Sequence, residues 1–331
     1  MTILAFGTSL AELSEGVFNP ATRSADTTAA RMSPNVSEGA QVLVTDATGL
    51  TLRFAAQSEL WASFYVYFSS APISSGGCPI TFYSGTTALF QIDPDSLGTP
   101  SAMAFEYWTG SSWTEATGEV GSYSNGVRYR FDVHVKIADS GGVLEWYTDG
   151  ALTGTFTGDT LRTALTTVDG IALKHGSDTG YSVFSAVMVA DEDTRGITYI
   201  QKLINGAGAL SDWTGTYAEI DEAGANDSDL IQASADAQTS LFTKAALPAG
   251  FSSGYQVIGL GVSARAQRGS SGPANIQMAA RHGTTNGFSA SKSLETALNP
   301  KHHIFTQNPA TAAAWTYAEA DAAQVGVRSA A

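Results

Sequence analysis

The chain has 331 residues and a formal net charge of −14, from 17 Lys plus Arg against 31 Asp plus Glu. Charged residues are only 15%, aromatics 10%, and glycine reaches 34 residues, a balance that suits a turn-rich all-β protein. The acidic excess argues against a nucleic-acid partner; no polybasic or long apolar segment favours insertion in a membrane; and the lone Cys78 excludes an internal disulfide framework.

A length of 331 residues favours two domains. Residues 1–40 are rich in turn formers and show little periodicity, apart from a short helical turn expected near Leu10–Leu13. They read as an N-terminal arm, either a disordered leader or an arm that wraps a neighbour. The opening MTILAFGTSLAELSEG lacks a basic region and a long apolar run, so it does not read as a secretory signal, and a soluble protein made in a cytoplasm is expected.

Strands are predicted to dominate from there to residue 199. In LWASFYVYF, Leu60, Ala62, Phe64, Val66 and Phe68 share one face, with Trp61, Ser63, Tyr65 and Tyr67 on the other. RYRFDVHVKI alternates in the same way, with Tyr129, Phe131, Val133, Val135 and Ile137 on the buried side. GVLEWYTDGALTGTF reads as a hairpin turning at Asp149-Gly150. Many short strands without βαβ alternation predict a two-sheet sandwich over 41–199.

The succession of a Trp-containing strand, a long alternating strand, an L-x-W-Y-x-D-G-x-L hairpin and a strand ending in acids resembles the concanavalin A-like or laminin-G-like jelly roll over roughly residues 40–200. That resemblance implies a β-sandwich and, for laminin-G-like members, a calcium ion at a loop rim. Asp191 and Asp193 are the candidate ligands, with Asp93-Pro-Asp95 and Asp227-Ser-Asp229 as further loop acids. The commoner reading of such acids is a solvated loop, and no other cofactor is expected.

Residues 200–212 read as a linker, and 213–331 as a smaller C-terminal β-sandwich in which Gln256–Arg265 and Asn275–Arg281 are expected to form a hairpin. Thr316 and Glu319 fit a capping box, so a short helix is predicted from Thr316. Trp315 then reads as a docking residue, and Gln324–Arg328 as a closing strand with Gly326 at a close approach. The run from Trp213 to Ile231, the run from Asn308 to Glu319, and Gln324–Arg328 resemble a module in structural proteins of tailed phages and gene-transfer agents. The resemblance implies a virion component with a β-sandwich fold and does not fix its place on the particle; assembly in the host cytoplasm and a position on the outer surface are expected. Its partners would be capsid or tail proteins, further copies of itself, and host surface polysaccharide. A head spike, fibre or decoration protein is expected first; a tail-tip adsorption protein or a free polysaccharide-active enzyme are the alternatives.

The sequence shows no catalytic set. Glu115 and Glu119 have glycosidase spacing but lie in a turn-rich stretch. His302 and His303 are adjacent, so on a strand they face opposite ways and cannot share a metal. No G-x-S-x-G elbow or phosphate loop is present. The chain is therefore expected not to be an enzyme. Sugar binding is the site expectation, with Trp108, Trp113, Tyr123 and Tyr147 as candidates. The commoner role of such aromatics is core or rim packing.

Overall fold

The computed structural model describes residues 1–7, 23–26, 41–44, 50–69, 80–94, 102–175, 181–222, 226–247 and 256–331. The chain forms two compact units that part between Tyr199 and Ile200. Cys78, Asp95 and Leu10–Leu13 lie outside the described residues.

In the first unit the strands are β1 (Ile3–Gly7), β2 (Arg23–Asp26), β3 (Gln41–Val44), β4 (Leu50–Gln57), β5 (Glu59–Phe68), β6 (Ile80–Ser84), β7 (Thr87–Pro94), β8 (Met103–Trp108), β9 (Trp113–Glu115), β10 (Arg128–Lys136), β11 (Gly142–Thr148), β12 (Ala151–Gly158), β13 (Val168–Leu173) and β14 (Ser182–Ala190). Among the described residues they make two sheets. An eight-stranded sheet runs β12-β11-β10-β5-β14-β3-β2, with β1 also on β14; a six-stranded sheet runs β4-β13-β6-β7-β8-β9. All these pairings are antiparallel, giving an all-β jelly-roll sandwich.

The period-two alternation decides which side chains enter the core. Leu60, Phe64, Val66 and Phe68 of β5 meet Phe131, Val133 and Val135 of β10, and Phe82, Phe90, Phe105 and Ile171 come from the other sheet. Phe105 and Trp146 bridge the layers with ring centres 6.3 Å apart. Each such side chain contributes about 1.5–3 kcal/mol by leaving water. Asp149 (φ 51°) and Gly150 (φ 84°) make the positive-φ turn that joins β11 to β12.

The N-terminal segment departs from the arm expected of it. β1 pairs with Val187–Ala190 and β2 pairs with β3, so both belong to the large sheet. The Met1 ammonium also meets Glu192 at 2.6 Å.

The second unit contains β15 (Ile204–Ser211), β16 (Thr239–Lys244), β17 (Leu260–Ala266), β18 (Asn275–His282), β19 (Thr285–Phe288), β20 (Lys292–Ser293), β21 (Asn299–Phe305), the helix α1 (Tyr317–Ala322) and β22 (Gln324–Ala330). Among the described residues a six-stranded sheet runs β15-β16-β22-β18-β19 with β20 also on β18, and β17 pairs with β21 apart from it.

Two expectations are corrected here. The supposed linker contains β15, whose small residues serve contact: a side chain at Gly208 would strike the Leu241 backbone. The expected hairpin does not form, because β17 takes β21 as partner and β18 takes β22.

β22 lies between β16 and β18, with Gly326 against the Ser240 carbonyl. Trp315 is 3% exposed and its indole N–H donates to the Phe305 carbonyl at 2.7 Å. Thr316 and Glu319 form a reciprocal capping box at the start of α1. The same box recurs at Thr216 and Glu219 around a short 3₁₀ turn.

Candidate functional site

The outward face of the eight-stranded sheet is built by the residues that alternate with the core. β5 contributes Glu59, Trp61, Ser63 and Tyr65; β10 contributes Arg130, Asp132, His134 and Lys136; β11 contributes Glu145 and Tyr147. The segment after β14 returns over this face and brings Asp193, Thr194 and Arg195 onto it.

A buried polar cluster pins that return. The Ser63 hydroxyl donates to Asp132 Oδ1 at 2.5 Å and is also hydrogen-bonded to the Thr194 hydroxyl. Arg130 reaches both Asp132 oxygens and donates onward to the carbonyls of Thr194 and Ile197, at 3.1 and 3.0 Å. Burial alone would lower the Arg130 guanidinium, but its hydrogen bonds to Asp132 outweigh it and raise it further. Opposite this cluster, β14 carries a bulge between Ser185 and Met188, with Ala186 at φ 49°.

Beside the cluster lies an aromatic and charged platform. His134 stacks on Trp61 with ring centres 4.4 Å apart. Its Nε2 is 3.0 Å from Glu59 Oε1, and its Nδ1 is 3.4 Å from Glu145 Oε2. The Tyr147 hydroxyl donates to Glu145 Oε2 at 3.3 Å. The Arg195 guanidinium lies 4.9 Å from the Trp61 ring centre and 4.3 Å from that of Tyr147. Burial works to raise the Asp193 carboxyl, but hydrogen bonds from Arg195 outweigh it and hold the group below its ordinary range. Glu59 is likewise held low, by His134 and Lys136 against the opposing effect of burial. Trp61 and His134 are buried beneath Arg195, so the platform presents half-buried Tyr147, the Arg195 guanidinium and Lys136, and the carboxylates Glu59, Glu145 and Asp193, a set that matches sugar hydroxyls.

The four aromatics expected to bind sugar separate. Tyr147 lies on this platform. Trp108 and Trp113 face each other on the six-stranded sheet, with ring centres 5.4 Å apart. Tyr123 belongs to the core: it is 3% exposed, and its hydroxyl accepts from Trp146 Nε1 at 3.1 Å. A ring held there cannot stack on a ligand.

Asp191 and Asp193, the candidate calcium ligands, each have another partner. Asp191 accepts from the Thr2 backbone N–H at 2.5 Å, and Asp193 is occupied by Arg195 at 2.6 Å. Among the described residues no three His, Cys, Asp or Glu side chains are grouped to hold a metal ion. Glu115 stands on a strand, β9, not in the turn expected of it. Of the further loop acids, Asp227 is paired with Arg265 and Asp229 accepts from Asn226. The alternation in sequence marked Trp61 and His134 as a non-core pair, but the return of Arg195 over them had no local signal.

No family model matches the chain, and no curated protein matches it. Solved structures do. The globular domain of T. cruzi calreticulin is 13% identical, with a TM-score of 0.42, over 58% of this chain and 88% of that one. The cellulose-induced protein Cip1 is 13% identical, with a TM-score of 0.40, over 57% and 92%. The alginate lyase AlgAT5 of polysaccharide lyase family 7 is 11% identical, with a TM-score of 0.37, over 56% and 93%. Likenesses this distant carry no argument about what this chain binds or does. Alginate lyases are among these structures, and the expectation that the chain is not an enzyme is withdrawn: the lack of a recognised catalytic motif does not establish it.

Proposed function

We propose that the first unit is a saccharide-recognition module and that the platform around Tyr147 is its binding face. The observation that carries this is the position of Arg195 over both Trp61 and Tyr147, fixed by Asp193, beside a histidine held between Glu59 and Glu145. Side chains already locked by their neighbours lose little freedom when a ligand arrives. The ligand class is bacterial surface polysaccharide.

The setting we propose is the outer surface of a phage or gene-transfer particle, with the second unit joining the chain to capsid or tail proteins and further copies of the chain beside it. That setting rests on the resemblance read from the sequence in Trp213–Ile231, Asn308–Glu319 and Gln324–Arg328 alone.

Titration calorimetry of the full chain with lipopolysaccharide and capsular polysaccharide tests the binding reading. Saturable binding that weakens at least about tenfold in Tyr147→Ala and Arg195→Ala is expected. Binding that both variants leave unchanged would sink it. Immunogold labelling of intact particles tests the setting, which fails if no particle carries label.

A further inference from the structure

The eight-stranded sheet ends at β12, whose far side has no strand beside it among the described residues. The turn before β12 sets its phase. The Asp149 N–H donates to the Arg130 carbonyl at 2.9 Å, so Asp149 faces β10 and Thr148 faces β12. Alternation along β11 turns Trp146, Leu144 and Gly142 to β12 as well, where they pair with Gly154, Phe156 and Gly158. The residues between, Thr155 and Thr157, therefore point their backbone N–H and C=O groups away from β11, off the edge of the sheet. Both residues are exposed.

Edge strands are usually guarded by Lys, Pro or another charge that keeps foreign strands away. Ala151–Gly158, ALTGTFTG, has none of these. In a chain with a net charge of −14 it is a neutral stretch where two copies can meet without repulsion. Its β-bulge lies at the turn end, opposite Trp146 and Tyr147, so Gly154–Gly158 is regular. Asp159, just beyond, is paired with Arg162 at 3.0 Å.

Gly154–Gly158 reads Gly-Thr-Phe-Thr-Gly, the same in both directions. Two antiparallel copies related by a two-fold axis at Phe156 set every residue against its own kind. Thr155 meets Thr157 of the partner subunit, and Gly154 meets Gly158 of the partner subunit. The outward groups of the threonines are the ones that pair, so each Thr–Thr pair exchanges two backbone hydrogen bonds. Phe156 then meets Phe156 of the partner subunit in the closer, non-hydrogen-bonded position, with Cα atoms about 4.5 Å apart. The Phe156 ring is half-buried, 6.2 Å from the Tyr107 ring centre, and lies over Gly158, where a Cβ would come within 3.0 Å of it. The flanking glycines leave room for the second ring. A palindromic strand matches itself about a two-fold axis, which makes a second copy the occupant it fits.

We propose that β12 is a dimer interface that joins the eight-stranded sheets of two copies of this chain into one continuous antiparallel sheet. The axis is normal to the sheet, so the outward faces of both copies lie on one side. The pairing depends on neither a saccharide ligand nor a particle.

Sedimentation velocity of the full chain from about 1 to 200 µM tests it, the range suited to a small interface. A monomer–dimer equilibrium is expected. Thr157→Pro removes an outward N–H, which an edge strand tolerates, and should weaken the dimer at least about tenfold, because each copy loses a donor. Thr155→Asp combined with Thr157→Asp sets carboxylates opposite each other at both Thr–Thr pairs and should weaken it likewise. Thr155→Lys combined with Thr157→Asp sets opposite charges there and should keep the dimer. That contrast reads the register itself, and coincident thermal melts exclude misfolding of the variants. A chain that stays monomeric throughout leaves the edge to an extended peptide of another protein and overturns the proposal. So does a dimer that Thr157→Pro and the double Asp variant leave unchanged, or one that the Lys–Asp variant loses as fully as the double Asp variant.

Discussion

The two outward faces of the first unit use charge in opposite ways. On the eight-stranded sheet, carboxylates meet cations: Asp132 with Arg130, Glu59 with Lys136, Asp193 with Arg195. On the six-stranded sheet, Glu106 faces Glu115. The first arrangement makes a firm platform, as recognition requires. The second carries an electrostatic cost, and burial, Asp93 and Glu115 together hold the Glu106 carboxyl above its ordinary range.

The largest effect that would break this comparison is at Asp132. Its removal leaves Arg130 buried without its carboxylate, so Asp132→Ala should cost about 3–5 kcal/mol in urea unfolding of the first unit. A loss under about 1 kcal/mol would mean that the return after β14 is not held by this pair. Smaller, and opposite in sign to one another, are the two glutamates. The native state holds the Glu106 proton to higher pH than the unfolded chain does, so this group lowers stability above its raised pKa. The penalty fades as pH falls toward the ordinary carboxylate range. Glu106→Gln should therefore stabilise the protein at pH 7 by less than about 1 kcal/mol, since solvent screens a half-exposed carboxyl. Glu59 is held low, so its contribution is present at neutral pH and is lost as pH falls through its folded pKa. Glu59→Gln should cost only a few tenths of a kcal/mol at pH 7. Melting curves from pH 4 to 8 check both; equal signs for the two variants would erase the contrast between the faces.

The alternation of LWASFYVYF and RYRFDVHVKI makes the core and the outward residues of β5 and β10 legible in the sequence. The Asp149-Gly150 turn is legible for the same local reason. What stays hidden is long in range. Arg195 lies 134 positions from Trp61, and no pattern in either segment marks their contact. Glu115 reads as a loop acid because its strand is only three residues long, and its partner Glu106 lies beyond a turn. Tyr123 stands among Gly and Ser, which suggests a rim, yet the Trp146 indole needs a buried acceptor and draws it inward. The Gly and Ala of β15 suggest a linker when their smallness serves close strand contact. β18 carries Ile276, Met278 and Ala280 into the core and pairs centrally with β22, which leaves β17 to β21.

The six tryptophans allow one direct measurement. Trp61 reports on the recognition face, Trp108 and Trp113 on the six-stranded face, Trp146 on the core, and Trp213 and Trp315 on the second unit. Indole ¹H–¹⁵N signals of the full chain would be followed during titration with oligosaccharides cut from bacterial surface polysaccharide. The account predicts a saturable shift at Trp61 that Tyr147→Ala abolishes, with Trp146 and Trp315 unmoved. A titration that leaves Trp61 unmoved would contradict the assignment of the recognition face.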